Sequence, residues 1–160
     1  MSANQLIIRN GTPQDLPRVL ELVKELALYE RALHEVENTV EQMLADGFGE
    51  QPIFGLIVAE INGIVIGISV YYFRYSTWKG RVLYLEDILI TENMRGQGIG
   101  YQLFEATAKR AFELNCKRMT WQVLDWNEPA INFYKKFNAH LDGEWVNGSL
   151  SYEQLKNLAQ

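Results

Sequence analysis

The chain has 160 residues and a mass of 18.5 kDa, enough for one ordinary domain to bury a continuous core. Fifteen Lys and Arg against twenty Asp and Glu leave a net charge of −5 and a pI near 5.1, so the surface field repels polyphosphate backbones and nucleic acid is not an expected partner. With 48% hydrophobic and 12% aromatic residues the chain is too apolar for disorder, yet no run approaches the ~20 uninterrupted apolar residues of a membrane span.

The start, Met1-Ser2-Ala3-Asn4-Gln5, has neither a basic segment nor an apolar run ending in small residues, and the lone Cys116 has no internal disulfide partner. A cytoplasmic location with no membrane attachment is expected. No repeat, low-complexity tract or linker divides the chain, so residues 1–160 read as a single domain with a core from about 6 to 158.

In chain order, Leu6-Ile7-Ile8 predicts a first strand stopped by Asn10-Gly11. Thr12-Pro13-Gln14-Asp15 then supplies an N-cap, a first-turn proline and an acidic residue for a helix whose apolar face is Leu16, Val19, Leu20, Val23, Leu26 and Ala27. Thr39 with Gln42 opens a second, shorter helix ending near Gly47. Ile53 to Ala59 and Ile64 to Phe73 read as antiparallel strands joined by an Asn62-Gly63 hairpin, and a turn at Trp78-Lys79-Gly80 leads into a third strand, Val82 to Ile90. A helix from Tyr101 to Leu114, a strand from Met119 to Leu124, a helix from Pro129 to Phe137 and a last strand from Trp145 to Leu150 follow. A short helix capped by Ser151 and Gln154 closes the series. Strands and helices alternate around one mixed sheet, which predicts an α/β or α+β domain of three layers.

The most informative segment is Arg95-Gly96-Gln97-Gly98-Ile99-Gly100, between the apolar strand and a helix. Glycines at alternate positions remove the side chains that keep a ligand from the backbone, and amides at a helix start lack intrahelical acceptors. An anion such as a pyrophosphate suits that turn, with Arg95 as an added cation. The nucleotide triphosphatase loop requires Gly-Lys-Ser/Thr, whereas Gly100 precedes Tyr101; a dinucleotide fingerprint needs its third glycine one residue later and a parallel β-α-β unit. Glycines that only shape a turn are the remaining structural alternative.

Arg-Gly-x-Gly-Ile-Gly after a strand resembles the acetyl-coenzyme A signature of the Gcn5-related N-acetyltransferases. Four spaced motifs narrow the resemblance to the diamine acetyltransferase branch: Tyr71-Tyr72-Phe73-Arg74-Tyr75, Leu83-Tyr84-Leu85-Glu86-Asp87, the glycine turn, and Trp126-Asn127-Glu128-Pro129-Ala130-Ile131-Asn132-Phe133-Tyr134. Tyr29-Glu30 and Asp46-Gly47-Phe48-Gly49-Glu50 extend it over nearly the whole chain. The resemblance implies a mixed, mostly antiparallel central sheet flanked by helices, acetyl-coenzyme A as cofactor, a small cationic amine as acceptor, direct transfer in a ternary complex, and a homodimer that uses the region of Trp145.

Transfer to an alkyl ammonium of pKa around 10.4 requires a proton acceptor for the amine and a donor for the departing thiolate. Adjacent Glu86 and Asp87 interrupt an apolar strand, where alternation sends them to opposite faces, so one must meet a partner or ligand. The resemblance makes Glu86 the base, and a strand-end carboxylate capping a turn is the plain alternative. It makes Tyr134 the acid, where residue type alone reads an ordinary core aromatic. It further assigns the cofactor to Ile88, Leu89 and Ile90 through backbone pairing, to Arg95, Gly96, Gln97, Gly98, Ile99, Gly100 and Tyr101, and to Asn127, Glu128, Pro129, Ala130 and Tyr134. Tyr29, Glu30, Glu86, Asp87 and Thr120-Trp121-Gln122 are assigned to the acceptor by ion pairing and cation–π contact. Tyr29 and Glu30 also fit the amphipathic end of the first helix.

The connection Glu60-Ile61-Asn62-Gly63-Ile64 is shorter than in the animal polyamine enzymes, and Asp125-Trp126-Asn127 stands where they have Glu-Trp-Asn. Polyamine, thialysine, lysine-like amino acid and small diamine therefore all stay open as acceptors. Two rivals remain: a protein or peptide N-acetyltransferase, and a non-catalytic acyl-coenzyme A sensor. His34 and His140 lack metal-ligand spacing, so no metal is expected, and Cys116 reads as an inert, partly buried thiol. Lys109-Arg110 and Lys117-Arg118 read as solvated helix ends that could meet the coenzyme's 3′-phosphate.

Overall fold

A computed structural model describes residues 5–160. Of the N-terminal start considered above, Met1-Ser2-Ala3-Asn4 lie outside the described residues. The chain forms two compact units, one reaching to Gln122 and the other Val123–Gln160.

The first unit holds a five-stranded sheet in the order β1 (Leu6–Asn10), β2 (Gly55–Ile61), β3 (Ile64–Ser76), β4 (Gly80–Ile90) and β5 (Arg118–Thr120). The β1–β2, β2–β3 and β3–β4 pairings are antiparallel, whereas β5 joins β4 in parallel after a crossover through α3 (Ile99–Glu113). The Asn62-Gly63 hairpin closes as the dipeptide predicts, with φ of +53° and +78° at its two residues.

Sheet alternation explains the layers. Leu16, Val19 and Leu22 of α1 (Leu16–Tyr29) and Met43 of α2 (Val40–Phe48) pack on Leu56, Val58, Val65, Ile68 and Leu89. Ser69, the next residue after Ile68, points to the opposite face, where its hydroxyl lies 2.7 Å from that of Thr107 in α3. Helices therefore cover both faces of the mostly antiparallel sheet, which is the three-layer α/β arrangement expected.

At the entry to α1, Pro13–Asp15 form one 3-10 turn with Thr12 at its N-cap, as expected, and Asp15 completes a capping box. Its carboxylate accepts from the Thr12 amide (2.8 Å) and from two nitrogens of Arg9 (2.8 and 3.0 Å), while Arg9 also pairs with Glu60. The Arg9 guanidinium holds the Asp15 carboxyl below the usual carboxylate range, against the opposing effect of burial. Thr39 caps α2 through the Gln42 amide, as its pattern predicts, and the helix runs on to Phe48 before Gly49 ends it.

Two strand expectations fail. The strand expected from Met119 to Leu124 stops at Thr120. In the second unit, α4 (Glu128–Lys135) and α5 (Tyr152–Leu158) form, the latter with its Ser151–Gln154 capping box, but Trp145 to Leu150 is not a strand. Residues 141–150 are all exposed and bury no face against a core, and Asn147-Gly148 further weakens an extended segment whose aromatic and branched residues suggested otherwise.

Candidate active site

The register of β4 decides where its carboxylates go. Val70 stands opposite Asp87 and Tyr71 opposite Leu85, so Glu86 is an extra residue without a partner, a β-bulge. The alternation that was expected to send Glu86 and Asp87 to opposite faces is therefore broken. Asp87 shares the face of Val70, which packs against the α1 core, and Leu85 shares the face of Tyr71. Tyr72 and Tyr84 face each other at the next position on the α1 side, ring centroids 5.1 Å apart, with Arg74 5.3 Å over Tyr84. Burial, and then the charge of Glu86, push both phenols upward.

Asp87 itself is half-buried. Burial first, then the neighbouring charges of Glu86 and of Glu30 at the end of α1, push its carboxyl up to about 6. Burial also raises Glu30. Glu30, Glu86 and Asp87 thus converge with two phenols, an arrangement relieved by a cation and by little else. Tyr72 and Tyr84 were not among the expected site residues; their place in the motifs around Glu86 was a signal, but the bulge that aligns them with it was not visible.

Beyond Tyr84 the outer edge of β4 has no strand on it, because pairing with β5 ends at Thr120. Ile88, Leu89 and Ile90 lie on that open stretch, with the Ile90 carbonyl already taken by Arg95 Nε at 2.9 Å. The turn that follows has φ of +76° at Gly96 and +74° at Gly98, the latter capping α3. A Cβ at either glycine would meet no atom within 4 Å, so conformation rather than crowding demands glycine, and the turn is open toward a ligand. Among the described residues, no backbone hydrogen bond of the turn uses the amides of Gly96, Gln97, Gly98, Ile99 or Gly100. A row of available donors at a helix start, next to a free strand edge, fits a diphosphate and an amide-bearing arm.

Arg95 departs from its expected place among those donors. Its guanidinium turns back to α1, 3.7 Å from Glu25 and 5.8 Å over the Tyr29 ring. Glu25 also accepts from the Glu92 amide at 2.8 Å and from the Thr91 hydroxyl at 3.0 Å. Sequence reasoning passed over Glu25, although it lies one helical turn before Tyr29 and so shares its face.

Of the other residues expected to meet the acceptor, Thr120 has a buried hydroxyl with no hydrogen-bond partner, and Trp121 sets its ring perpendicular to Phe104 at 5.4 Å. Gln122, half-exposed, ends the first unit. In the second unit Asn127 caps α4 by accepting from the Ala130 amide at 3.3 Å, with Glu128 and Pro129 in the first turn. Tyr134 is buried on α4, its ring 5.4 Å from that of Phe133. Tyr101 sits in the first turn of α3. Among the described residues no group of His, Cys, Asp and Glu is placed to hold a metal ion, and burial raises the Cys116 thiol.

The model of the acetyltransferase (GNAT) family matches residues 18–139. The mouse thialysine N-epsilon-acetyltransferase is 38% identical over 163 residues, covering 95% of this chain and 96% of that protein. The human spermidine/spermine N(1)-acetyltransferase-like protein 1 is 38% identical over 134 residues, covering 79% of this chain and 19% of the longer protein. Among solved structures, an integron cassette protein of V. cholerae superposes with a TM-score of 0.79 at 23% identity, over 99% of each chain. The chain thus belongs to the acetyltransferase (GNAT) family, on its diamine acetyltransferase branch, and is an N-acetyltransferase with acetyl-coenzyme A as its acetyl donor.

Proposed function

We propose that the chain acetylates a primary amine of a small cationic acceptor (a diamine, polyamine, thialysine or lysine-like amino acid) by direct transfer in a ternary complex. The observation that carries this reading is the bulge at Glu86, which gathers Glu86 and Asp87 on one face near Glu30. An alkyl diamine adds positive charge beside that of Arg74 to a site with three carboxylates, and the phenols of Tyr72 and Tyr84 offer rings to its methylenes and ammonium. The names of the relatives, thialysine and spermidine/spermine, lie in the same chemical class.

Acetyl-coenzyme A supplies a thioester-activated acetyl group. It would be held by the open edge at Ile88, Leu89 and Ile90, by the turn from Gly96 to Tyr101, and by Asn127, Glu128, Pro129 and Ala130 at the start of α4. Arg95, turned toward α1, supports the turn from behind. In this assignment Glu86, exposed on the bulge, takes the ammonium proton directly or through water, and Asp87 holds the substrate's charge. A second reading exchanges these roles: a carboxyl near 6 is matched more closely to proton transfer at neutral pH than an ordinary one, which favours Asp87 as the base. Tyr134 holds the proton destined for the departing thiolate, which a phenol of pKa about 10 suits. Thr120, with its unpartnered hydroxyl, Trp121 and Gln122 contribute to acceptor binding, as do Tyr29 and Glu30.

The family model spans the boundary between the two units, which supports treating residues 1–160 as one catalytic domain. We place it in the cytoplasm as a homodimer. No helix among the described residues is long and apolar enough to cross a membrane, and Trp145 and Val146, at 77% and 96% exposure, are suited to a subunit contact.

Release of free thiol from acetyl-coenzyme A across diamines, polyamines, thialysine, lysine, ornithine and peptides tests the reading. Turnover with free amines and none with peptides is expected. Turnover confined to peptides, or tight binding of the coenzyme with no turnover, refutes it in favour of a peptide acetyltransferase or a sensor.

A further inference from the structure

The carboxylate of Glu25 lies outside every motif that singled out this site, yet it is the point where α1 is tied to the loop leading into the glycine turn. It accepts from the Glu92 amide at 2.8 Å and from the Thr91 hydroxyl at 3.0 Å, and it stands 3.7 Å from Arg95 Nη2. Thr91, Glu92 and Arg95 belong to a single short turn, which closes on itself through Met94 N to Thr91 O (3.0 Å) and Arg95 N to Glu92 O (3.3 Å). Gly96 follows directly. On the other side the turn is held by the Thr91 amide on Ile66 O at 2.8 Å, and by Arg95 Nε on Ile90 O. The Glu25 side chain keeps 30% of its exposure, so its bonds are not forced by core packing.

A carboxylate beside an anion site is unfavourable unless it does something for that site. Here it draws Arg95 back from the turn, partly cancels the charge, and fixes the backbone from which Gly96 and Gly98 take their positive φ. Four residues further along the same helix, Tyr29 carries the Arg95 guanidinium on its ring. One helix face thereby holds both the approach to the glycine turn and the start of the acidic acceptor site.

We propose that Glu25 is a positioning residue for coenzyme binding: through hydrogen bonds to Glu92 N–H and the Thr91 hydroxyl it presets the turn that receives the diphosphate. This inference rests on the acetyl-coenzyme A reading of the turn. It assigns the effect to hydrogen bonding rather than to charge, so an amide in place of the carboxylate preserves it.

The test is calorimetric titration of the whole chain with coenzyme A, together with hydrogen exchange of the amides of residues 92–98 in the free protein. Wild type, Glu25→Gln and Glu25→Met are compared; methionine keeps the length and helix preference of the side chain and removes its acceptors. Glu25→Met is expected to bind coenzyme A about tenfold more weakly, as for the loss of one ordinary hydrogen bond. It is also expected to speed exchange at Glu92 and to raise KM for acetyl-coenzyme A more than KM for the amine. Glu25→Gln is expected within about threefold of wild type. Unchanged coenzyme affinity in folded Glu25→Met overturns the proposal. So does equal damage from Glu25→Gln, which would assign the effect to charge, or failure of Glu25→Met to fold while Glu25→Gln folds, which would make Glu25 a structural anchor. Absence of binding by the wild type would instead remove the reading on which the inference rests.

Discussion

Asp87→Asn is expected to stabilise the chain while damaging its activity. The structure raises this carboxyl from its ordinary 3.8 to about 6, through burial first and then the charges of Glu86 and Glu30. In the unfolded chain the proton leaves near 3.8, whereas the native chain keeps it until about 6. Native stability therefore falls as pH climbs between those values and stays lower above them. At 1.36 kcal/mol per pH unit the whole shift sets a ceiling of about 3 kcal/mol, and partial solvent access at a half-buried site reduces it to about 1–2 kcal/mol. Asparagine has a similar shape and no charge to desolvate, so at pH 7.5 the variant should gain that amount, roughly 2–6 °C in melting temperature. The gain should shrink as pH is lowered toward 4. Urea unfolding of both chains between pH 4 and 7.5 measures it, and thiol release with a diamine should show kcat/KM lowered by more than about tenfold. Equal urea midpoints at pH 7.5, or a gap independent of pH, would show that the carboxylate does not carry the desolvated charge inferred here.

Tyr134→Phe should reduce turnover by more than about tenfold with coenzyme affinity nearly intact, read by steady-state kinetics beside calorimetry; unchanged turnover removes Tyr134 from the acid role. Asp15→Asn should cost about 1–3 kcal/mol at pH 7 in urea unfolding, because Arg9 would lose one of its two charged partners and keep only Glu60. Since the folded Asp15 carboxyl lies below its ordinary value, its contribution is present above pH 3.8 and fades as pH falls through the lower folded value, so the two unfolding curves should converge in acid. Gly98→Ala, forced to a φ of +74°, should lose about 1–2 kcal/mol of stability and weaken coenzyme A in the same titration. An alanine variant with native affinity would show that the turn does not need that conformation to bind.

Much of the architecture was legible because its causes are local. Asn62-Gly63 specifies its own turn, Thr39 and Ser151 satisfy their own helix amides, and the apolar spacing from Leu16 onward points one helix face inward. The failures lie where the cause is distant. Trp145 to Leu150 has strand-like residues but buries no face against a core, and propensity without burial does not make a strand. The glycine turn was recognisable from residue types, whereas the direction of Arg95 depends on Glu25, 70 positions earlier, and on the Tyr29 ring. The two carboxylates stood out as charges inside an apolar strand but were placed by strict alternation, which holds only while both strands advance together. The offset opposite Val70 and Tyr71 is a property of the β3–β4 pair, and neither strand alone discloses it.

That single unpaired residue also separates what the strand does for folding from what it does for chemistry. Were position 86 deleted, Leu85 and Asp87 would alternate normally, each still opposite its present neighbour, and the interior contacts of Leu85 and Leu89 would need no rearrangement. The sheet therefore accommodates Glu86 as an appendage to an intact lattice, so the core on either side keeps its register whatever chemistry that position carries.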